Sequence, residues 1–190
     1  MKYDVILSGV GGQGVLSVAQ IITRAAVEEG LQVRQSEVHG MAQRGGAVIA
    51  HLRISDTTIA SDLVPQGRAD LILSMEPLES LRYAAWLKPE GAFVSAVDPL
   101  VNITNYPELE GIVNTIKKFP VYRAVEAAAL AKEAGLIQAV NMVMVGAASA
   151  FLPLAEKTLV QTIEKMFEQK GASAIDANKK AFSLGKAAAK

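Results

Sequence analysis

The 190-residue chain contains no cysteine. That excludes disulfides, a thiolate nucleophile and any iron–sulfur cluster held by cysteines of this chain. It has only two histidines, His39 and His51, which argues against a self-contained zinc site. Neither sign of charge dominates: 19 Lys and Arg balance 19 Asp and Glu, so no net field draws the chain to nucleic acid or anionic lipid. The first residues, MKYDVILSGV, are too few and too closely bounded by glycine for a signal peptide, and a cytoplasmic protein is expected. What remains is a globular composition, 51% hydrophobic and 20% charged, in a chain long enough to bury a substantial core. With no internal repeat and no linker, residues 1–190 read as one domain.

A second scarcity is local. Residues 134–155 carry no charge at all, nearly the length of a bilayer span. Gln138, Asn141, Ser149 and Pro153 interrupt the stretch, and Gly and Ala fill much of the rest, whereas a true span is richer in Leu, Ile and Phe. The segment is expected to be a helix buried between a sheet and a partner surface, with no membrane involved.

The periodicity along the chain is that of alternating strands and helices. An apolar run at 3–8 reads as a buried strand, and residues 14–29 as a helix with Val15, Leu16, Val18, Ala19, Ile22, Ala25 and Ala26 on its apolar face. Arg24 and Glu28 are spaced to pair outside, and Gly30 stops the helix. Strands follow at 31–35, 47–55, 69–75, 91–97 and 119–125, with a helix near 78–87 and a loop at 36–46. Helices are expected at 126–134, 138–150 and 156–170, and a last one from near Asp176. This order implies an α/β, Rossmann-like three-layer sandwich with a mostly parallel sheet. Function in such folds sits at the carboxyl ends of strands, where both glycine-rich stretches, 9–14 and 40–46, fall.

The first stretch, GVGGQG, sets Gly9, Gly11 and Gly14 at G-x-G-x-x-G spacing, after a strand and before a helix. Gly9 permits a tight exit from the strand. Gly11 and Gly12 remove side chains where a phosphate would approach, and Gly14 lets the helix lie close to the strand. The alternative is a loop whose glycines serve only close packing. An NAD site would place an acidic residue about 20 positions on. Arg34 stands there, a residue suited to the phosphorylated ribose of NADP or the 3′-phosphate of coenzyme A, or simply to a solvated strand end. The second stretch, SEVHGMAQRGG, gathers Ser36, Glu37, His39, Gln43 and Arg44 around Met41 and three glycines. Glu37 or His39 could act there as a base and Arg44 as an anion clamp, or the charges could satisfy one another.

Together, GVGGQGV after the first strand, SEVHGMAQRGGAV after the second, HLRIS in the third and NMVMVGA at 141–147 resemble the gamma-type component of 2-oxoacid:ferredoxin oxidoreductases. The likeness covers essentially the whole chain. It implies a subunit of an enzyme that converts an aryl 2-oxoacid such as indolepyruvate to an acyl-coenzyme A, CO2 and reduced ferredoxin. Thiamine diphosphate and 4Fe-4S clusters would then sit on a larger partner subunit, which agrees with the missing cysteines. The resemblance makes Gly9, Gly11, Gly12, Gln13 and Gly14 the coenzyme A phosphate loop, and Ser36 to Gly46 the segment lining the composite active site or subunit interface. Two rivals stand beside it: an NADP-binding reductase built on Gly9–Gly14 and Arg34, and a purely structural assembly subunit. In isolation the chain is expected to form a homodimer.

Overall fold

Six strands form one sheet in the order β2-β3-β1-β4-β5-β6 in the computed structural model, which describes residues 1–39 and 45–188. β1 (Lys2–Val10), β4 (Ala69–Ser74), β5 (Leu87–Ala96) and β6 (Tyr122–Val125) run parallel to one another. β3 (Ala47–Ser55) runs antiparallel to both β1 and β2 (Gln32–His39). The mostly parallel α/β class expected from the sequence is the one found.

β1 is central and buried on both faces, which its near-continuous apolar run requires. On one face Val5, Leu7, Leu71, Leu73 and Val94 join a core with α1 (Val15–Glu28), α5 (Val140–Ala148), α6 (Glu156–Phe167) and α7 (Ala172–Ala188). On the other, Ile6, Ile72 and Phe93 pack with Ile112 and Ile116 of α3 (Leu109–Ile116), where Phe93 stacks on Phe119 with ring centroids 4.2 Å apart. α2 (Pro77–Arg82) and α4 (Ala127–Glu133) complete the helices.

Several sequence expectations are corrected. A β-α-β unit would seat the second strand beside β1, but β3 intervenes, because β2 and β3 pair as an antiparallel hairpin that inserts next to β1. The loop expected from residue 36 is strand as far as His39, held by pairing with β3 through Ser36↔His51 and Glu37↔Ala50. Leu16 is largely exposed, and Glu28 pairs with Lys165 at 2.8 Å instead of with Arg24. The helix at 78–87 is six residues of α2 plus a 3-10 turn at 84–86, α3 was not foreseen, and α7 begins at Ala172. The uncharged stretch holds a 3-10 turn at 137–139 and a nine-residue helix, α5, and the surface covering α5 is the chain's own α7. The two helices approach so closely that a Cβ on Gly146 would overlap the Phe182 carbonyl, and one on Gly185 the Val143 carbonyl. Among the described residues, no helix is long and apolar enough to cross a membrane.

The end of the sheet opposite the glycine loop is locked by a buried ion pair. Arg53 Nε donates to Asp4 at 2.8 Å, and its Nη1 donates to the carbonyls of Ser61 and Leu63 at 2.8 and 3.0 Å. Next to it the Val64 amide donates to buried His51 Nδ1 at 3.1 Å. Desolvation, then the nearby Arg53 charge, holds the His51 pKa below its ordinary 6.5.

Candidate functional site at the carboxyl edge

β1 delivers the chain to the carboxyl edge at Val10, where two backbone bonds join the glycine-rich stretches. The Gly11 amide donates to the Gly46 carbonyl at 2.8 Å, and the Gly45 amide to the Gly11 carbonyl at 3.2 Å. Gln13 braces the turn: its Oε1 accepts from the Val10 amide at 2.8 Å and its Nε2 donates to the Met75 carbonyl at 3.2 Å. The side chain of Gln13 thus ties the end of β1 to the end of β4. Gly14 caps α1 at φ +81°, a left-handed conformation costly for other residues, and a Cβ there would overlap the Asn141 side-chain nitrogen. No side chain caps this helix, and its first turn carries no carboxylate. The Ser17 and Val18 amides donate to the Gly14 carbonyl at 2.9 and 3.2 Å, so it is the Val15 and Leu16 amides, which a helix cannot satisfy from within, that are suited to an anion.

These donors open on a cleft of about 550 Å³ lined by Gly12, Gln13, Gly14, Ser17, Met75, Asp98, Leu100, Ile137, Gln138 and Asn141, among others. Asn141 Nδ2 approaches the Gly14 carbonyl at 3.4 Å, so α5 forms one wall. The opposite wall is held from behind by Glu76, a buried carboxylate at the end of β4. Glu76 accepts from the Glu79 amide at 2.7 Å, from the Leu100 amide at 3.3 Å and from the Tyr106 hydroxyl. Burial, then the bond to Glu76, pushes the Tyr106 phenol well above its ordinary pKa, so it stays a donor. Asp98, the only charged residue of the lining among the described residues, accepts from the Ala128 amide at 3.0 Å and so caps α4.

The structure gathers Gly12, Gln13 and Gly14 at this cleft, with Gly11 just before them bonded to Gly45 and Gly46, and Gly9 in β1, where an added Cβ would press on Val15. Arg34 is not brought to them. It stands level with Asp4, five residues below Gly9, which is roughly 17 Å along the strand. There it pairs with Asp62 at 3.8 Å, both side chains largely exposed. Ser36, Glu37 and His39 lie on β2, two strands from β1. His39 is paired with Val48, level with Gly9 at the same edge. Gln43 and Arg44 lie outside the described residues. Sequence reasoning missed Ser17, Glu76 and Asp98, and named Gln138 and Asn141 without a role at the site; NMVMVGA was the only local signal among them. Chemically the cleft offers amide donors and neutral polar groups, suited to positioning an anionic ligand, with one carboxylate, Asp98, held by the Ala128 amide. Among the described residues, no cluster of three His, Cys, Asp or Glu could hold a metal ion.

The pyruvate ferredoxin/flavodoxin oxidoreductase family matches residues 4–188. The chain belongs to this family. Indolepyruvate oxidoreductase subunit IorB of Pyrococcus horikoshii is 38% identical over 199 residues, covering 100% of this chain and 96% of that one. Like such family members, the chain is a subunit of an oxidoreductase. Two solved structures of the family share the fold. The gamma subunit of keto/oxoacid ferredoxin oxidoreductase from Geobacter sulfurreducens has TM-score 0.69 at 25% identity, with 98% of each chain covered. The 2-oxoglutarate:ferredoxin oxidoreductase of Magnetococcus marinus, solved with 2-oxoglutarate, coenzyme A and succinyl-CoA bound, has TM-score 0.77 at 23% identity. This chain corresponds to 31% of that longer one and is covered over 99% of its own length.

Proposed function

We propose that this chain is the small subunit of a 2-oxoacid:ferredoxin oxidoreductase acting on an arylpyruvate such as indolepyruvate, and that its glycine-loop cleft binds coenzyme A, the acyl acceptor. The observation that carries this reading is the uncapped start of α1, whose amides open on a cleft of about 550 Å³. The relatives named for indolepyruvate support the substrate class. Thiamine diphosphate and the 4Fe-4S clusters belong to a larger partner subunit, because a chain without cysteine has no thiolate for a cluster. Ferredoxin is reached through the complex. Ser36 and Glu37 of β2 are assigned to the composite site or the subunit interface. The NADP alternative loses its phosphate ligand, since Arg34 lies away from the loop.

The test is the complex co-expressed with its large subunit, assayed for indolepyruvate oxidation against coenzyme A concentration. Gly12→Asp sets a carboxylate in the anion site, and a rise in the coenzyme A KM of at least about tenfold is expected. An unchanged KM overturns the assignment.

A further inference from the structure

Between β5 and α3 the chain runs through residues 97–108 without helix or strand, and this strap gives the cleft one wall through Asp98, Pro99 and Leu100. Further along, Val101, Asn102, Ile103, Thr104 and Asn105 are exposed, so polar bonds and not core packing seat the strap. Asp98 accepts from the Ala128 amide at 3.0 Å, and the Asn102 side chain donates to the Gly45 carbonyl at 2.7 Å. The remaining fastenings converge on one atom. Glu76 Oε1 accepts from the Leu100 amide at 3.3 Å and from the Tyr106 hydroxyl.

Glu76 is an unusual post for a loop. It is only 1% exposed, and Arg82 pairs with Glu79 at 3.1 Å, not with Glu76. Its charge is therefore held by hydrogen bonds alone, Oε2 accepting from the Glu79 amide at 2.7 Å and Oε1 from the strap. Its backbone is pinned as well: the Ser74 hydroxyl donates to the Glu76 carbonyl at 2.8 Å and accepts from the Ser8 hydroxyl at 2.8 Å. If the strap lifts, the carboxylate keeps the Glu79 amide only. A buried charge stripped of donors is far costlier than a lost surface bond, so the seated strap is strongly favoured. Resting on the reading of the cleft as a coenzyme A site, we propose that Glu76 and Tyr106 are positioning residues for the acceptor, which they act on through the strap. The seated strap holds Asp98, Pro99 and Leu100 as the wall against which coenzyme A binds. An unseated strap withdraws that wall, and apparent affinity falls with the fraction of molecules whose strap is seated. The reacting atoms lie with the partner's cofactor under the same reading, so saturating acceptor restores the rate.

The experiment uses the assembled complex, with initial rates measured against coenzyme A and against indolepyruvate. Tyr106→Phe removes one donor from Glu76 and is expected to raise the coenzyme A KM about three- to tenfold, with kcat and the indolepyruvate KM within about twofold. Hydrogen exchange at the Leu100 amide should quicken in the same variant by a similar factor. A merely structural role lowers the unfolding midpoint and leaves the coenzyme A KM where it was. Should Tyr106→Phe fail to assemble, the wild type decides: saturating coenzyme A must slow exchange at the Leu100 amide severalfold, and unchanged exchange overturns the proposal. A KM unmoved in Tyr106→Phe but raised in Gly12→Asp overturns the positioning role while the cleft assignment stands. If Gly12→Asp also leaves the KM unmoved, the cleft assignment falls, and the proposal with it.

Discussion

Gly14 and Gly12 separate two reasons for a glycine. Both have positive φ, +81° and +101°, but only Gly14 is also crowded, by the Asn141 side chain. Gly12→Ala therefore loses only the backbone term, about 1–2 kcal/mol. Gly14→Ala adds the displacement of Asn141 and is expected to lose about 2–4 kcal/mol in urea unfolding. Equal losses would mean that Asn141 gives way freely. His51 sets a pH dependence of its own. Its folded pKa lies below 6.5, so the unfolded chain takes up the proton first as pH falls. The neutral ring's contribution is complete above pH 6.5 and is lost on acidification below it, as protonation removes the acceptor for the Val64 amide and sets a second charge beside Arg53. The midpoint of thermal unfolding should fall between pH 7.5 and 5.5, and fall less in His51→Gln; parallel slopes would remove His51 from the account.

Between elements, the crossing of α5 and α7 leaves no room for a methyl group. Gly146→Ala or Gly185→Ala drives a Cβ into a backbone carbonyl and should cost about 3 kcal/mol or more, since neither helix can shift without disturbing the core on its other side. Gly111→Ala, on the exposed side of α3 with open space around it, should instead gain about 0.5–1 kcal/mol. A loss at Gly111, or tolerance at Gly146, would refute this picture of the packing. The same crossing shows where sequence reading stops. α1 and β1 were legible because periodicity and glycine spacing are local, and so was the glycine turn that joins them. β2 beyond Gln35 was not, because an edge strand exposed on its polar positions lacks the alternation of a buried one. The helix across from α5 was expected from near Asp176, but its place against α5 was not legible: an uncharged run says that something covers it, not what. Asp98 and Asn141 reach the cleft from far along the chain, and only the fold brings them to Gly14.

At the scale of the whole molecule, large apolar side chains stand exposed around the carboxyl edge. Val101 and Ile137 are 68% and 67% exposed, with Leu16 and Ile103 near 40%. The Asn102 amide donates to the Gly45 carbonyl at 2.7 Å, which holds Val101 and Ile103 beside the glycine ladder. If this rim receives the large subunit, Leu16→Glu with Ile137→Glu should abolish co-purification while changing folding stability by no more than about 0.5 kcal/mol. If the isolated chain pairs with itself through the same rim, the two substitutions should leave a monomer in sedimentation. Full retention of the large subunit would place the interface elsewhere. The paired bonds between Gly11 and Gly45–Gly46 bear on how such subunits can be recombined. The glycine loop is the last rung of the ladder that seats Arg53 on Asp4 and His51 under Val64. One residue inserted or deleted in β3 would slide that ladder, turn those side chains to the opposite face and draw the loop out of place. A chimera that exchanges the glycine loop alone inherits a mismatched ladder; residues 9–14 and 45–55 are one transferable cassette.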